Sequence, residues 1–422
     1  MHQESYQWYV GIDSGSQEHW VCLLDCQGQS KATRKFEHSG AGLAAMMKWL
    51  KETAPDPPER VAIGIETPRG AVVEGLVERR YAVFSINPKQ LDRFRDRYSM
   101  SGAKDDIRDA LVLADCLRTD QRCYHRVRLD EKRIYRLREL SRMEEDLREQ
   151  SRLLSNQLWA QLNRYYPQLL RLCPAADEAW LWDLLQRAPE PEKGAHLKKP
   201  QVNKILRNYR IRRVSADDVL QQLREPALQL APGAMEAASE HAVLLLPRLH
   251  LLRTQRIDLS KRISGLLAEL SAADSDDDQQ PEHRDAEVLL SLPGVGQSNG
   301  ATMLAEASQP LAERDYQAVR CLSGAAPVTR QSGKKKLVVM RRGCNPRLRN
   351  ALYHWGRCSI QQDEYARQYY DRLRQKGQTH GQALRTICDR WLRILISMLR
   401  TNTLYDPQRF ARLEEPEASA AA

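Results

Sequence analysis

Near its N-terminus the chain reads Trp8-Tyr9-Val10-Gly11-Ile12-Asp13, a short apolar run that ends in a carboxylate. A second run of the same kind reads Val61-Ala62-Ile63-Gly64-Ile65-Glu66. Apolar runs of this length predict buried strands, and open α/β sheets bind ligands at the carboxyl ends of their strands. The two runs therefore predict an α/β sheet that carries Asp13 and Glu66 at its ligand-binding edge.

Two aspartates, Asp106 and Asp109, follow three residues apart where a helical pattern resumes, so that they share one helix face. Four carboxylates that converge repel one another unless cations neutralise them, and Mg²⁺ suits such all-oxygen sites. Metal ions held beside a phosphate promote phosphodiester cleavage and transfer. We therefore predict a Mg²⁺ site formed by Asp13, Glu66, Asp106 and Asp109. Taken singly, Asp13 is also typical of a turn or a helix N-cap, and the aspartate pair of a solvated helix face.

The composition favours a polyanionic partner. The chain has 422 residues, enough for two or three domains, with a net charge of +10 and an isoelectric point of about 9.1. No apolar run approaches the roughly 20 residues needed to span a bilayer, and the first residues lack signal-peptide features. We therefore expect a cytoplasmic protein without a membrane partner. Nine cysteines without a Cys-x-x-Cys pair indicate reduced thiols and disfavour a zinc site.

An N-terminal α/β domain is expected over residues 1–125, where strand-like and helix-like patterns alternate. Its predicted strands are residues 9–12, 20–24, 61–65 and 81–86, and its predicted helices are 40–52 and 72–80.

A coiled-coil domain is expected over residues 126–280. Two leucine-patterned helices, 131–165 and 249–270, predict either an antiparallel hairpin or pairing with another subunit. Between them we expect an irregular insertion at about 173–232. Its stretch from Lys198 to Arg213 holds seven basic and no acidic residues and is a candidate RNA contact, or else a solvated surface.

A mostly helical C-terminal domain is expected over residues 281–412, after an acidic linker and before a disordered tail at 413–422. It opens with a turn that contains Gly294 and Gly296 and resembles a helix-hairpin-helix element. In that element a glycine-rich turn lets backbone N–H groups approach a phosphate. The plainer interpretation is an ordinary turn between two helices.

A basic block follows, with no acidic residue between Arg330 and Asn350. Such a block suits phosphates, which neutralise its charge. Ser332 lies inside the block, where positive charge would favour its attack on a phosphate, although serine is also a common turn former. The predicted nucleic-acid contacts are Arg330, Lys334, Lys335, Lys336, Arg341, Arg342, Arg347 and Arg349.

Together these motifs resemble the DEDD-type insertion-sequence transposases of the IS110/IS1111 group, also called bridge-RNA-guided recombinases. The N-terminal resemblance rests on Gly11-Ile12-Asp13, the strand ending at Glu66, and Lys104-x-Asp106-x-x-Asp109. The C-terminal resemblance rests on Leu292-Pro293-Gly294-Val295-Gly296, Gln331-Ser332-Gly333 and Asn345-Pro346-Arg347-Leu348-Arg349.

The resemblance implies a RuvC-like domain of the RNase H fold, in a prokaryotic enzyme that acts at the nucleoid. It implies that the four carboxylates bind Mg²⁺ and that Ser332 attacks DNA to form a covalent phosphoserine link. It also implies donor and target DNA, a structured bridge RNA, and a homo-oligomer, either a dimer or a tetramer. Asp105 stands where many relatives have Thr, so the ligand register could shift by one, and Cys344 separates Gly343 from Asn345.

Two other functions remain open at this stage. One is a metal-dependent, RuvC-like junction-resolving nuclease that forms no covalent intermediate, with Ser332 as a phosphate contact. The other is a non-enzymatic nucleic-acid-binding scaffold.

Overall fold

The computed structural model describes residues 6–95, 97, 105–231, 233–272, 282–333 and 335–407, without the side chains of 282–284, 335 and 336. The chain divides into two compact units, Met1–Asp130 and Glu131–Ala422. The predicted acidic linker and C-terminal tail, and Lys334 of the basic block, lie outside the described residues. No helix in the described part of the chain is long and apolar enough to cross a membrane.

The first unit contains a six-stranded mixed sheet in the order β3-β2-β1-β4-β5-β6. Strands β1, β4 and β5 are parallel, and the other three each pair antiparallel with a neighbour. The strands are β1 Trp8–Ser14, β2 Glu18–Asp25, β3 Ser30–Glu37, β4 Val61–Ile65, β5 Ala82–Ser85 and β6 His125–Arg126. The helices are α1 Gly40–Thr53, α2 Ala71–Glu78, α3 Pro88–Arg95 and α4 Asp106–Asp120. This confirms the predicted α/β class.

The sheet has a helix layer on each face. One apolar core joins α1 and α2 to Val10, Ile12 and Ile63, and the other joins α3 and α4 to Tyr9 and Ala62. This alternation along β1 and β4 follows from the two-residue period of a strand. The sequence prediction missed β3, because Phe36 is its one buried residue and it shows no apolar alternation. It also missed α3 and the two-residue β6.

The second unit is built around two long helices, α5 Lys132–Tyr165 and α11 Ala234–Ser271. They form an antiparallel hairpin, because Leu137 packs in one core with Ile263 while Leu158 packs in another with Leu249. Their leucine seam is therefore buried within one chain. Of the two arrangements that the leucine pattern predicted, the structure confirms the antiparallel hairpin.

The insertion between these helices is not irregular, which corrects the sequence prediction. It folds into five short helices, whose core includes Trp180, Trp182 and Tyr165 against α5 and α11. Its short, Pro-separated segments hide the helical period because each one buries only a few side chains. The helices are α6 Gln168–Leu172, α7 Ala179–Arg187, α8 Pro191–Ala195, α9 Lys199–Asn208 and α10 Ala216–Leu223.

The remaining part of the second unit is mostly helical and contains one two-stranded hairpin. The helices are α12 Glu282–Leu290, α13 Gly296–Glu306, α14 Ser308–Ala312, α15 Tyr316–Leu322, α16 Pro346–Gln362, α17 Glu364–Gln375 and α18 His380–Thr401. The hairpin strands are β7 Val328–Ser332 and β8 Lys335–Val339.

Candidate metal and nucleic-acid sites

Two paired glycines let α4 lie directly on the sheet. Gly11 and Gly64 are register partners in β1 and β4. A Cβ atom on Gly11 would lie 1.9 Å from the Ala110 carbonyl oxygen, and one on Gly64 would lie 3.0 Å from that of Leu113. Any side chain at Gly11 would therefore push α4 away from the strands that end in the predicted metal ligands.

Asp13 and Glu66 follow on the side of the sheet that α4 covers. Val10 and Ile12 pack on the opposite side with α1 and α2, so Gly11 and Asp13 face α4. The register pairs Ile12 with Ile65, the last residue of β4, and Asp13 and Glu66 are the residues that follow this pair in sequence. Both carboxylates are half-buried.

Asp109 lies in the first turns of α4 and is only 2% exposed. Its two carboxylate oxygens accept hydrogen bonds from Nε and Nη2 of Arg95, each at 2.7 Å. Nη2 also lies 4.0 Å from Glu66 Oε1, and Nη1 donates to Asp92 at 2.6 Å. One guanidinium thus brings together two of the four predicted ligands, which come from sequence segments more than forty residues apart.

Asp105 and Asp106 occupy different positions at the start of α4. Asp105 is the N-cap, and its side chain accepts a hydrogen bond from the Ile107 backbone N–H at 3.2 Å. Asp106 is the first helical residue and is exposed. The capping contact gives Asp105 a local structural role, and the assignment of Asp106 and Asp109 as the ligands stays a prediction.

The donor set suits a hard divalent cation in kind, because all four predicted ligands are carboxylates. In the described structure, however, no three of these four side chains bring oxygens within 4.8 Å of one another. In the described residues, three potential ligand atoms lie within 4.8 Å of one another only at Cys173, Asp177 and Glu178. Burial raises the pKa of the Cys173 thiol to about 11, and Arg213 already pairs with Glu178 at 2.5 Å. A neutral thiol and a paired carboxylate make that group a poor metal site.

Ser332 is exposed and ends β7, opposite Lys335 across a two-residue turn. Gly333 opens the turn with a φ of +56°, a value that glycine adopts without strain and that two-residue hairpin turns need. Arg330 and Arg342 are also exposed, whereas Arg341 donates to the Ala326 carbonyl. The hairpin therefore exposes the serine at the end of β7, two residues after the exposed Arg330 on the same strand.

Arg347 is already engaged within the second unit. Its guanidinium lies 2.7 Å from Glu145 and 3.3 Å from Asp146, both on α5. Among the described residues, the Arg349 guanidinium makes one long contact, to the Cys344 sulfur at 3.9 Å. A phosphate contact by Arg347 stays a prediction, and it would compete with these two ion pairs.

The Asn345-Pro346-Arg347 motif begins α16 and is held by a buried carboxylate. Asn345 caps the helix, and its amide donates to Glu306 Oε2 at 2.8 Å. Arg142 donates to both oxygens of Glu306. Burial alone would raise the pKa of Glu306, but the hydrogen bonds from Arg142 and Asn345 outweigh it and lower the pKa. The charged Glu306 thus fixes the start of α16.

The glycine-rich turn lies between α12 and α13. Gly294 has a φ of +77°, and a Cβ atom there would lie 2.5 Å from the Ser359 backbone nitrogen of α16. Gly296 has a φ of +62° and open space around it. Close helix packing thus explains Gly294, and the exposed Gly296 is better placed for the predicted phosphate approach.

Sequence reasoning missed Arg95, Glu306 and the role of Gly11 and Gly64. The repeated Gly-Ile-acid ending of the two strands was a visible signal for the paired glycines. No local pattern marked Arg95, because its partners are remote in the sequence.

Two family models match the chain. One, for DEDD-type transposases of the IS110 group and described as "Transposase", matches residues 10–167. The other, described as "Transposase IS116/IS110/IS902 family", matches residues 286–371. The first range contains the four predicted carboxylates, and the second contains Ser332. The helical insertion from α6 to α10 lies outside both ranges.

Several curated proteins are similar to the chain. It is 31% identical over 430 residues to "Mini-circle putative transposase for IS117" of Streptomyces coelicolor. That alignment covers 99% of this chain and 100% of the relative. It is 42% identical over 222 residues to "Putative transposase y4uE" of Sinorhizobium fredii, which covers 52% of this chain and 62% of that protein. It is 26% identical over 410 residues to the IS900 42 kDa protein of Mycobacterium paratuberculosis, which covers 94% and 97% respectively.

Proposed function

The chain belongs to the IS116/IS110/IS902 family of transposases and is a DNA transposase, and from this premise we propose that it cuts and rejoins DNA through a carboxylate-bound metal site and a serine nucleophile. The observation that carries the proposal is the convergence of Glu66 and Asp109 on one cationic group, at the sheet edge where Asp13 also lies.

The first unit is proposed to be a RuvC-like domain of the RNase H fold. Its central parallel strands β1, β4 and β5, flanked by antiparallel β2 and β3, support that assignment. Two parallel strands end close to the two carboxylates Asp13 and Glu66, and Asp109 of α4 shares Arg95 with Glu66.

Mg²⁺ is the proposed cofactor, held by Asp13, Glu66, Asp106 and Asp109. A divalent cation there would neutralise charge on the scissile phosphate and on its leaving oxygen. The sheet holds Asp13 and Glu66 in place, and the N-cap at Asp105 fixes the first turn of α4. The protein's part is thus to keep four oxygen donors in fixed positions.

Ser332 is the proposed nucleophile. Its Oγ would form a bond to the scissile phosphorus while the bond to one deoxyribose oxygen breaks, and the serine proton would end on that leaving oxygen. The phosphoserine bond conserves the phosphodiester, so attack by a new DNA hydroxyl would release Ser332 and join the strands without ATP. Exposure at the hairpin tip supports this role, because a long DNA substrate needs open access.

The proposed DNA contacts are Arg330, Lys334, Lys335, Lys336, Arg341, Arg342 and Arg349, with the turn at Gly294 and Gly296. They would bind the phosphate backbone of donor and target DNA, which sets position without base readout. Arg347 is proposed as a phosphate contact as well, and to make that contact it would have to leave its ion pairs with Glu145 and Asp146.

A structured guide RNA is the proposed second partner, and the basic side of the insertion is its proposed contact. All seven basic residues from Lys198 to Arg213 are exposed, but Lys199 pairs with Asp217 and Arg213 with Glu178. Five others show no ion pair in the described residues. We call them the basic ridge: Lys198, Lys204, Arg207, Arg210 and Arg212.

A homo-oligomer, either a dimer or a tetramer, is also proposed. The leucine seam between α5 and α11 is buried, so the contact needs other residues. Leu244 and Leu251 lie seven residues apart on α11 and are 71% and 57% exposed. This spacing puts them on one helix face, where they would bury apolar area against a second copy.

The experiment that tests the proposal is detection of a covalent protein–DNA adduct. The full chain, with its co-purified RNA, is incubated with end-labelled DNA and Mg²⁺, then denatured and run on a gel. We expect a retarded species with the native protein and none with Ser332→Ala, with DNA binding retained. Metal-dependent cutting without an adduct would favour the junction-resolving nuclease, and an adduct that persists in Ser332→Ala would refute the serine assignment.

A further inference from the structure

Arg95 contacts two of the four predicted metal ligands, Asp109 and Glu66. Both oxygens of Asp109 accept hydrogen bonds from its guanidinium, and Glu66 lies within ion-pair distance of the same Nη2 atom. The Asp109 side chain is 3% exposed and that of Arg95 is 27% exposed. The positive charge that this buried carboxylate needs is therefore supplied by the protein itself.

A divalent cation and this guanidinium exclude each other at Asp109. A carboxylate that accepts two parallel N–H donors uses the syn lone pair of each oxygen, and a metal chelated by both oxygens uses the same lone pairs. In addition, a divalent cation bound to Asp109 would lie beside the Arg95 guanidinium, and two neighbouring positive charges in a partly buried site repel strongly. Metal ligation by Asp109 thus requires Arg95 to move away.

The position of Arg95 allows such movement. It is the last residue of α3, whose buried residues are Leu91 and Phe94. Its Nη1 atom also donates to the exposed Asp92 at 2.6 Å, on the same helix. Asp92 can retain the guanidinium after it leaves Asp109, so that the apolar contacts of α3 need not break.

We propose that Arg95 is a positioning residue that holds Asp109 and Glu66 in their metal-binding arrangement and competes with the divalent cation for them. This inference rests on the proposed metal site. In the resting form, the Arg95 guanidinium neutralises Asp109 and Glu66. Metal binding then replaces the guanidinium by a divalent cation.

Metal affinity measured by calorimetry on the full-length protein tests the competition. Mn²⁺ is titrated into the native protein, Arg95→Gln, Arg95→Lys and Arg93→Gln, which changes an exposed arginine on the same helix. We expect Arg95→Gln to bind Mn²⁺ about tenfold more tightly, which corresponds to roughly 1.4 kcal/mol. Arg95→Lys should be intermediate, since lysine keeps the charge but cannot bond both oxygens. Arg93→Gln should match the native protein.

A second measurement separates this inference from the proposed metal site. Without metal, Arg95→Gln should melt at a lower temperature than Arg93→Gln, and Mn²⁺ should raise its melting temperature by more. Equal or weaker Mn²⁺ binding by both Arg95 variants would overturn the inference. Equal Mn²⁺ binding by the native protein and Asp109→Asn would instead overturn the metal site itself. If Arg95→Gln does not fold, the affinity of Arg95→Lys relative to the native protein decides the question.

Discussion

Gly11 and Gly64 face each other as register partners on neighbouring parallel strands, and α4 crosses both of them. The closest backbone atom of α4 would lie 1.9 Å from a Cβ atom on Gly11. The absence of two side chains therefore sets the distance between Asp109 and the strand ends that carry Asp13 and Glu66.

Gly11→Ala should displace α4 and destabilise the first unit by about 3 kcal/mol, because a methyl group there meets backbone that cannot move aside alone. Thermal unfolding followed by circular dichroism measures the loss. Gly40→Ala is the matched control, since a Cβ atom at Gly40 has no neighbour within 4 Å. Equal melting temperatures for the two variants would show that α4 does not need the glycine.

Asp13→Asn, Glu66→Gln, Asp106→Asn and Asp109→Asn should each abolish metal-dependent strand transfer while the protein stays folded, because each loses a charged ligand. Strand transfer is measured on labelled DNA, with circular dichroism as the folding check.

Asp105→Ala is the comparison for these ligand variants. It should lose an N-cap worth about 1 kcal/mol and retain activity. Loss of activity in Asp105→Ala with full activity in Asp106→Asn would shift the ligand register by one residue.

Replacing exposed arginines near Ser332 should flatten the salt dependence of DNA binding. Arg330→Gln and Arg342→Gln should each lower the slope of log affinity against log salt by roughly 0.9 for duplex DNA, one phosphate contact apiece. Fluorescence anisotropy over a range of salt concentrations measures the slope. Arg347→Gln should lower both the slope and the melting temperature, because its guanidinium also holds Glu145. A lower melting temperature with an unchanged slope would remove Arg347 from the DNA contacts.

Charge reversal on the basic ridge should reduce the RNA that co-purifies with the protein. Lys204→Glu combined with Arg207→Glu places two repulsive charges on the exposed face of α9, while its buried face remains unchanged. RNA is extracted from equal amounts of purified protein and quantified. Arg187→Glu, an exposed change on α7, is the control. An undiminished RNA yield would identify the ridge as an ordinary solvated surface.

Polar substitutions on the outer face of α11 should change the oligomeric state without unfolding the chain. Leu244→Ser with Leu251→Ser should reduce the mass measured by light scattering, because both side chains are exposed within one chain. Leu154→Ser should act differently and lower the melting temperature, since Leu154 is 5% exposed in the core between the long helices. A native protein that is monomeric would disprove the proposed contact.

The sequence alone predicted β1, β2, β4 and β5, the helices α1 and α2, the long helix α5 and the C-terminal part of α11. It succeeded there because burial against a sheet or a partner helix imposes a period of two or about 3.6 on the apolar residues. It failed for β3 and for the insertion, where edge exposure in one case and short segments in the other leave too few buried positions to show a period. The position of Asp13 and Glu66 at strand ends was also readable, because each directly follows its apolar run.

Only the tertiary structure revealed which charges meet. Arg95 reaches Asp109 and Glu66, Arg142 and Asn345 reach Glu306, and Arg347 reaches α5. A local pattern records whether a side chain faces water or the core, and it contains no information on the partner of a charged group. Those partners depend on how remote segments pack, as when two glycines let α4 approach the sheet, and this packing is decided by the whole chain.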